Sequence, residues 1–302
     1  MIDKAGTRDR NEFYNVRLSF PQPTQTDPTQ VSKNDILALP LTDKPPLPAP
    51  PPLAHARPLL TTFIRSSHTI LTLLLARLST HLLLPPTSPS HLPNLHRLAA
   101  LSGDQVRFVK APPQPEGDRR VALGAHSDFG SLTLLFNRLG GLQILLPRGI
   151  GAVGDGEEGK DGNGEGQWVY VKPLPGHAIV NLGDAMVKFT NGLLRSCVHR
   201  VVEPPGRQRG KTRYSVVYFM RAEDEVVLRR LEDGLGGGGV IPGVRDGEEE
   251  EVGVTSREWV LRRALGRRVG MGSGGGGGKT GRRGFGEGGW EGSLGTERVG
   301  RG

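Results

Sequence analysis

From Pro58 to about Leu83, apolar residues return mostly at every third or fourth position: Leu59, Leu60, Phe63, Ile64, Ile70, Leu71, Leu74, Leu75 and Leu78. That spacing lines one side of a long amphipathic helix. Pro85 and Pro86 end it, because proline lacks a backbone donor and clashes with the preceding turn. A second short helix is predicted around Pro93 to Ser102. From Gln105 to Met220 the texture changes to short β-rich runs. The expected strands are Gln105–Val109, Val121–His126, Ser131–Phe136, Leu142–Leu146, Gln167–Val171, His177–Asn181, Met186–Thr190, Cys197–Val202 and Arg213–Met220. Strands parted by Gly and Pro, without alternating helices, predict a mainly β antiparallel sandwich or barrel, and a double-stranded β-helix (jelly roll) with flanking α-helices is the natural candidate.

The chain therefore divides into a polar, Pro-rich opening (1–57), a helical support (58–104), a β domain (105–232) and a low-complexity tail (233–302). Pro45, Pro46, Pro48, Pro50, Pro51 and Pro52 make the opening an extended wrap or loop outside the core. Gly149 to Gly166, rich in Gly, Asp and Glu, is expected to be a flexible loop inside the β domain. In the tail only Thr255 to Arg268 has helical texture, with Thr255 or Ser256 as cap, Glu258 in the first turn, and Trp259, Val260, Leu261 and Leu265 as an apolar stripe. From Gly270 onward the Gly-rich sequence is expected to be disordered.

Composition narrows the possibilities. With 45 Gly, 24 Pro and 35% hydrophobic residues among 302, the ordered part is expected to be smaller than the chain. The net charge of +8 owes much to Arg267, Arg268, Lys279, Arg282 and Arg283 near the C-terminal end. No zinc-finger, recognition-helix or RNA-binding signature accompanies it, so a solvated basic tail is expected and no nucleic acid partner. Cys197 is the only cysteine, which excludes an intramolecular disulfide and suits a reducing, cytoplasmic setting. Burial as a small hydrophobe is the expected state of its thiol, and a pocket-lining position is the alternative. No basic segment followed by an apolar run opens the chain. The apolar stretch Ile70 to Leu84 is broken by Arg77, Ser79, Thr80 and His81, so no membrane partner is expected. The protein is expected to act as a monomer.

His126 and Asp128 lie two apart at a predicted strand end, where alternating side chains share a face. His199 follows 71 residues after Asp128, in a strand that a jelly roll can place beside the first. Two imidazoles and one carboxylate form the facial set used by non-haem iron, leaving three coordination positions for a bidentate cosubstrate and O2. The bland alternative is that these side chains only satisfy turn hydrogen bonds. Arg213 and Ser215, again two apart, lie 14 and 16 residues beyond His199. A guanidinium fork and a hydroxyl facing inward make a carboxylate receptor, so a dicarboxylate is the expected guest; a surface ion pair is the alternative. Asp184, after Gly183, is assigned to a tight turn and His177 to a strand start. Phe129, Leu134, Asn181 and Leu182 are candidates for lining a pocket beside the metal, with core packing an equal account of the apolar three.

The segment Gly124–Leu146, with its Gly-Ala-His-Ser-Asp-Phe-Gly start, resembles the iron(II)- and 2-oxoglutarate-dependent oxygenases of the isopenicillin N synthase-like group. So do Asn181–Val201 and Arg213-Tyr214-Ser215, and the resemblance spans about residues 98–222. It implies that His126, Asp128 and His199 hold iron(II), and that Arg213 and Ser215 hold the far carboxylate of the cosubstrate 2-oxoglutarate. O2 would then be used to oxidise, usually to hydroxylate, a small organic substrate with release of succinate and CO2. Desaturation and ring closure also occur in that group. Many of its members carry Tyr before the Pro-Pro pair, where this chain has Ala111 before Pro112 and Pro113. An opening section typical of the group is expected to be missing, and Val16–Gln30 is expected to be an insertion between Glu12–Asn15 and Val31–Leu37. Two other readings stay open: a non-catalytic remnant of the family, and a cupin-like metal-binding module, although a cupin would supply His-x-His.

Overall fold

A computed structural model describes residues 12–15, 31–37, 51–116, 121–147, 159–160, 166–232, 239–244 and 253–269. In chain order the elements are β1 (Glu12–Asn15), β2 (Val31–Ser32), α1 (Lys33–Ile36), α2 (Pro51–His55), α3 (Arg57–His81), β3 (Gln105–Ala111), β4 (Leu123–His126), β5 (Leu132–Asn137) and β6 (Leu142–Pro147). They continue with β7 (Gly159–Lys160), β8 (Gly166–Tyr170), β9 (Ile179–Leu182), α4 (Asp184–Phe189), β10 (His199–Val201), β11 (Arg213–Met220), β12 (Val227–Leu228), β13 (Val254–Thr255) and α5 (Ser256–Val269).

One antiparallel sheet runs β1-β3-β11-β5-β9, with β2 also on β3, and a second runs β4-β10-β6-β8-β7. From β3 to β6 successive strands alternate between the two sheets. After the β7–β8 excursion in the second sheet, β9, β10 and β11 alternate again. That winding is a jelly roll with flanking helices, as the sequence predicts.

Strand β11 shows how the layers form. Val216, Tyr218 and Met220 face outward into a core shared with Leu60, Ile64, Leu71 and Leu75 of α3, while Arg213, Ser215, Val217 and Phe219 face the interior between the sheets. The four α3 residues are at most 5% exposed, and each such burial stabilises by roughly 1.5–3 kcal/mol. Phe63 of α3 meets Phe136 of β5 edge-on at 5.6 Å, pinning the helix across the main sheet. By length and composition α3, at 25 residues, passes as a membrane span, so its polar interruptions do not by themselves decide the point. One face is nevertheless core, and Leu59 and Leu73 on the other are 71% and 64% exposed.

Several elements differ from expectation. Met186–Thr190 is not a strand: Asp184–Phe189 is helix α4. The helix expected at Pro93–Ser102 is a single 3-10 turn at Leu92–Leu95. Parts of the opening, expected as a loop outside the core, join the fold: β1 and β2 pair with β3. Lys33 is fully buried, with Nζ donating to the carbonyls of Leu98 and Ala100 at 3.0 and 2.6 Å. Asn15 lies opposite Arg107 and Val31 opposite Val106, so β1 and β2 take consecutive places on β3. Val16–Gln30 itself, most of Gly149–Gly166, and Gly270 onward lie outside the described residues.

Candidate active site

Strand pairing brings the separated ligands together. β10 lies between β4 and β6, with His199 directly opposite His126, which closes the long sequence gap. Their ring centroids are 4.3 Å apart. His199 Nε2 lies 4.0 Å from Asp128 Oδ1, and one ligand atom from each of His126, Asp128 and His199 falls within 4.8 Å of the other two.

The ring tautomers suit a metal. His126 Nδ1 donates to the Gly124 carbonyl at 2.8 Å, and His199 Nδ1 donates to the Cys197 carbonyl at 3.0 Å. A carbonyl can only accept, so both Nδ1 atoms carry the proton and both Nε2 atoms present a lone pair. Asp128 lies beyond the end of β4, so strand alternation does not orient it. Two residues of the other sheet do: Thr133 Oγ1 on β5 donates to its Oδ2 at 2.7 Å and Asn181 Nδ2 on β9 at 2.9 Å. Oδ1 is thereby turned toward the histidines. Burial alone would raise the Asp128 carboxyl, but His199 and His126, with the Asn181 and Thr133 bonds, hold it below the usual carboxylate range. This donor set of two imidazole nitrogens and one ionised carboxylate fits a divalent iron.

The turn carrying Asp128 is fixed from behind. Backbone N–H groups of Asp184, Ala185 and Gly183 donate to the carbonyls of Asp128, Gly130 and Ser131 at 2.8, 3.1 and 3.0 Å. The indole Nε1 of Trp259 on α5 donates to Phe129 O at 3.1 Å. A Cβ at Gly183 would collide with the Gly130 carbonyl and lie 2.9 Å from that of Asp128, so the close approach needs glycine. Asp184, assigned from sequence to a tight turn between strands, instead begins α4 and is 2% exposed. It accepts from Ser127 Oγ at 3.0 Å. Burial pushes its carboxyl up to about 6, against opposing bonds from Ser196 and Ser127 and the charge of Arg263.

On the same interior face Arg213 is 2% exposed. Its Nε donates to Gly140 O at 3.1 Å and its Nη1 to Ser215 Oγ at 3.2 Å. Burial draws the guanidinium down to about 10, which leaves it charged at neutral pH. No carboxylate among the described residues forms an ion pair with it, and a buried cation of this kind is costly unless an anion joins it. Ala111 lies opposite Arg213 on β3, where many members of the resembled group have Tyr.

Arg213, Ser215 and the triad line one cavity of about 450 Å³ between the sheets. Asn181 and Leu182 line it as expected, but Leu134 is core on the outer face and Phe129 is absent from the lining. Cys197 is half-buried and lines the cavity, the less favoured of the two states open to it from sequence, and burial pushes its thiol up. Sequence reasoning missed Thr133, Arg107 and Arg195. Strand alternation gives a signal for the first two, since Thr133 is the inward position between Leu132 and Leu134, and Arg107 the one two places before Val109.

A jelly roll enclosing two histidines, one carboxylate and a buried arginine defines the class of site that can hold a divalent metal beside an anion. Residues 103–222 match the 2OG-Fe(II) oxygenase superfamily. The chain is 32% identical over 174 residues to the 2-oxoglutarate-dependent dioxygenase iboH of Amanita muscaria, an alignment covering 58% of this chain and 76% of that protein. It is 34% identical over 210 residues to the 2-oxoglutarate-dependent dioxygenase AFUA_1G01000 of Aspergillus fumigatus, covering 68% and 53%. The chain belongs to the 2OG-Fe(II) oxygenase superfamily. It spans about half the length of the Aspergillus relative and of gloE from Glarea lozoyensis. Among solved structures, Neurospora crassa T7H in complex with alpha-KG superposes with a TM-score of 0.59 at 20% identity, over 85% of this chain and 66% of that one. A putative 2OG-Fe(II) oxygenase family protein from Caulobacter crescentus gives 0.54 at 21%, over 86% and 76%.

Proposed function

We propose that the chain is an iron(II)- and 2-oxoglutarate-dependent dioxygenase that oxidises a small organic substrate, hydroxylation being the outcome that family resemblance favours. In this reading His126 and His199 through Nε2, with Asp128 through Oδ1, hold iron(II), and Arg213 with Ser215 binds the far carboxylate of 2-oxoglutarate. The bound metal and 2-oxo acid supply the chemistry of O2 activation, releasing succinate and CO2. The protein's own contribution is positional. Thr133 and Asn181 aim Asp128, the backbone carbonyls of Gly124 and Cys197 fix the imidazole tautomers, and aliphatic walls keep bulk water from the reacting centre.

One observation carries this reading above a cupin-like module: the buried, charged Arg213 lines the same cavity as the triad. A metal-only site has no use for it.

The test is anaerobic titration of the full chain with iron(II) and then 2-oxoglutarate, following the visible charge-transfer band of the metal-bound 2-oxo acid. The band is expected with the native chain and lost with His199→Ala, while Arg213→Ala is expected to weaken 2-oxoglutarate at least about tenfold. No band from folded protein, or an Arg213→Ala variant with native 2-oxoglutarate affinity, overturns the proposal. Succinate formed in air separates an active enzyme from a remnant that merely binds.

A further inference from the structure

We propose that Asp184 is a positioning residue for the metal site, a buried carboxylate that bonds the hydroxyls of Ser127 and Ser196 and thereby sets the spacing of His126 and Asp128 against His199; this rests on the reading that the triad holds iron(II).

The need for such a brace follows from the strands. His126 ends β4 and His199 begins β10. β10 has three residues, and its register on β4 is irregular between His199 and Val201. The pair that carries both imidazoles is the last of that ladder. Asp128 and the residues before His199 therefore lie outside it, and pairing of these two strands does not fix one against the other.

Asp184 reaches both of the segments that the ladder leaves out. Its N–H donates to Asp128 O at 2.8 Å and its Oδ2 accepts from Ser127 Oγ at 3.0 Å. Ser127 stands between the first two ligands and is fully buried. On the other side the Ser196 hydroxyl bonds the same carboxylate. Ser196 immediately precedes Cys197, whose carbonyl accepts from His199 Nδ1 at 3.0 Å. A parallel tie runs from the Cys197 N–H to Leu182 O at 3.4 Å. The junction of β9 and α4, from Leu182 to Asp184, thus holds the turn of the first two ligands and the segment of the third.

Asp184, Ser127 and Ser196 are all absent from the cavity lining. The carboxylate accordingly acts through the segments that carry the ligands and not on a bound molecule. It is 2% exposed, and Arg263 of α5 brings a positive charge within 3.8 Å of Oδ2. Hydroxyl bonds to a carboxylate are stronger than those between neutral groups, so the two serines inherit the fixed place of Asp184. Ligands held from behind in this way keep the geometry that a metal requires.

The test measures iron(II) affinity anaerobically on the full chain, by competition with a chromophoric chelator, and then the charge-transfer band after 2-oxoglutarate. Asp184→Asn keeps the shape and weakens the acceptor, and it should lower iron(II) affinity about 10–100-fold. At saturating iron(II) and 2-oxoglutarate its band should be displaced from the native position, which lost stability alone does not produce. Ser127→Ala and Ser196→Ala should each lower iron(II) affinity at least about twofold, and Ser196→Thr should recover most of the second loss. Added to Asp184→Asn, Ser196→Ala should cost less than it does alone. Native affinity and band position in Asp184→Asn overturn the proposal, as do costs of the two substitutions that simply add. Should Asp184→Asn fail to fold, native affinity in both serine variants overturns it equally. A native chain that binds no iron(II) refutes the metal reading and this proposal with it, whereas native binding beside an unaffected Asp184→Asn refutes this proposal alone.

Discussion

The indole Nε1 of Trp259 donates to the carbonyl of Phe129 at 3.1 Å, tying helix α5 to the turn that carries Asp128. Around that bond Arg263 stacks on the Trp259 ring at 4.3 Å and approaches Asp184 at 3.8 Å, and Asp184 accepts from Ser127 within the same turn. The residues between the first histidine and β5 are thus held by α4 on one side and α5 on the other. Trp259→Phe keeps a ring for Arg263 but removes the donor. Loss of one part-buried hydrogen bond costs about 0.5–1.5 kcal/mol, so the melting temperature should fall by a few degrees. Iron(II) affinity should fall as well, because the turn is looser. A lowered melting temperature with unchanged iron affinity would show the bond to be structural only.

Thr133 acts on the metal position through Asp128. Its hydroxyl holds Oδ2 from the main sheet while the histidines come from the other sheet, so it sets the carboxylate's rotation across the interior. Thr133→Val preserves shape and removes the donor. By analogy with other residues that orient metal ligands, iron(II) affinity should drop about 10–100-fold, and Thr133→Ser should recover most of it. Native affinity in the valine variant would mean that Asn181 alone suffices.

How far the sequence speaks depends on the range of the forces involved. Arg213–Met220 is a strand with the predicted bounds, because alternating inward and outward residues carry the signal locally. Met186–Thr190 misleads because Met, Val, Phe and Thr suit a strand, and a six-residue helix is too short to display helical periodicity. What makes α4 a helix is nonlocal: the carbonyls of Asp128 and Gly130 take its first N–H groups. His126 and Asp128 are legible as neighbours, whereas their meeting with His199 depends on sheet register. Arg195 and Trp259 are invisible before folding, since nothing adjacent to either in sequence indicates the cavity or the turn it reaches.

Two buried histidines under α3 should give the stability a pH dependence. His68 Nε2 donates to His96 O at 2.8 Å, and His96 Nε2 accepts from Ser131 Oγ at 2.7 Å while its Nδ1 donates to Leu92 O. Burial holds both imidazoles below the ordinary histidine range, although the Asp104 charge opposes this. Below about pH 6.5 the unfolded chain binds protons that the folded chain resists. Each histidine therefore subtracts stability as the pH falls from about 6.5 toward its lower folded value. Other groups titrate in this window, so the informative quantity is the difference from His68→Gln, which keeps a donor for the His96 carbonyl and cannot protonate. Denaturant midpoints at pH 7.5, 6.5 and 5.5 should fall less steeply for the variant. Parallel curves would mean that His68 is protonated equally well in the folded state.

The pairing of β1 and β2 makes a prediction about the residues between them. Asn15 and Val31 stand opposite the neighbouring residues Arg107 and Val106 of β3, the spacing of two residues joined by one peptide bond. Joining Asn15 directly to Val31 would form a single strand of six residues from Glu12 to Ser32, without a change of register, and closing a long connection costs entropy that a direct bond does not. Deleting Val16–Gln30 should therefore leave circular dichroism and iron(II) binding intact and leave the melting temperature equal or higher. A one-residue slip would put the wrong face of the strand toward the core. Lys33, which follows β2 directly and is buried against the carbonyls of Leu98 and Ala100, would then be displaced. If the deletion lowers the melting temperature by more than a few degrees, β1 and β2 are separate elements that need the intervening residues.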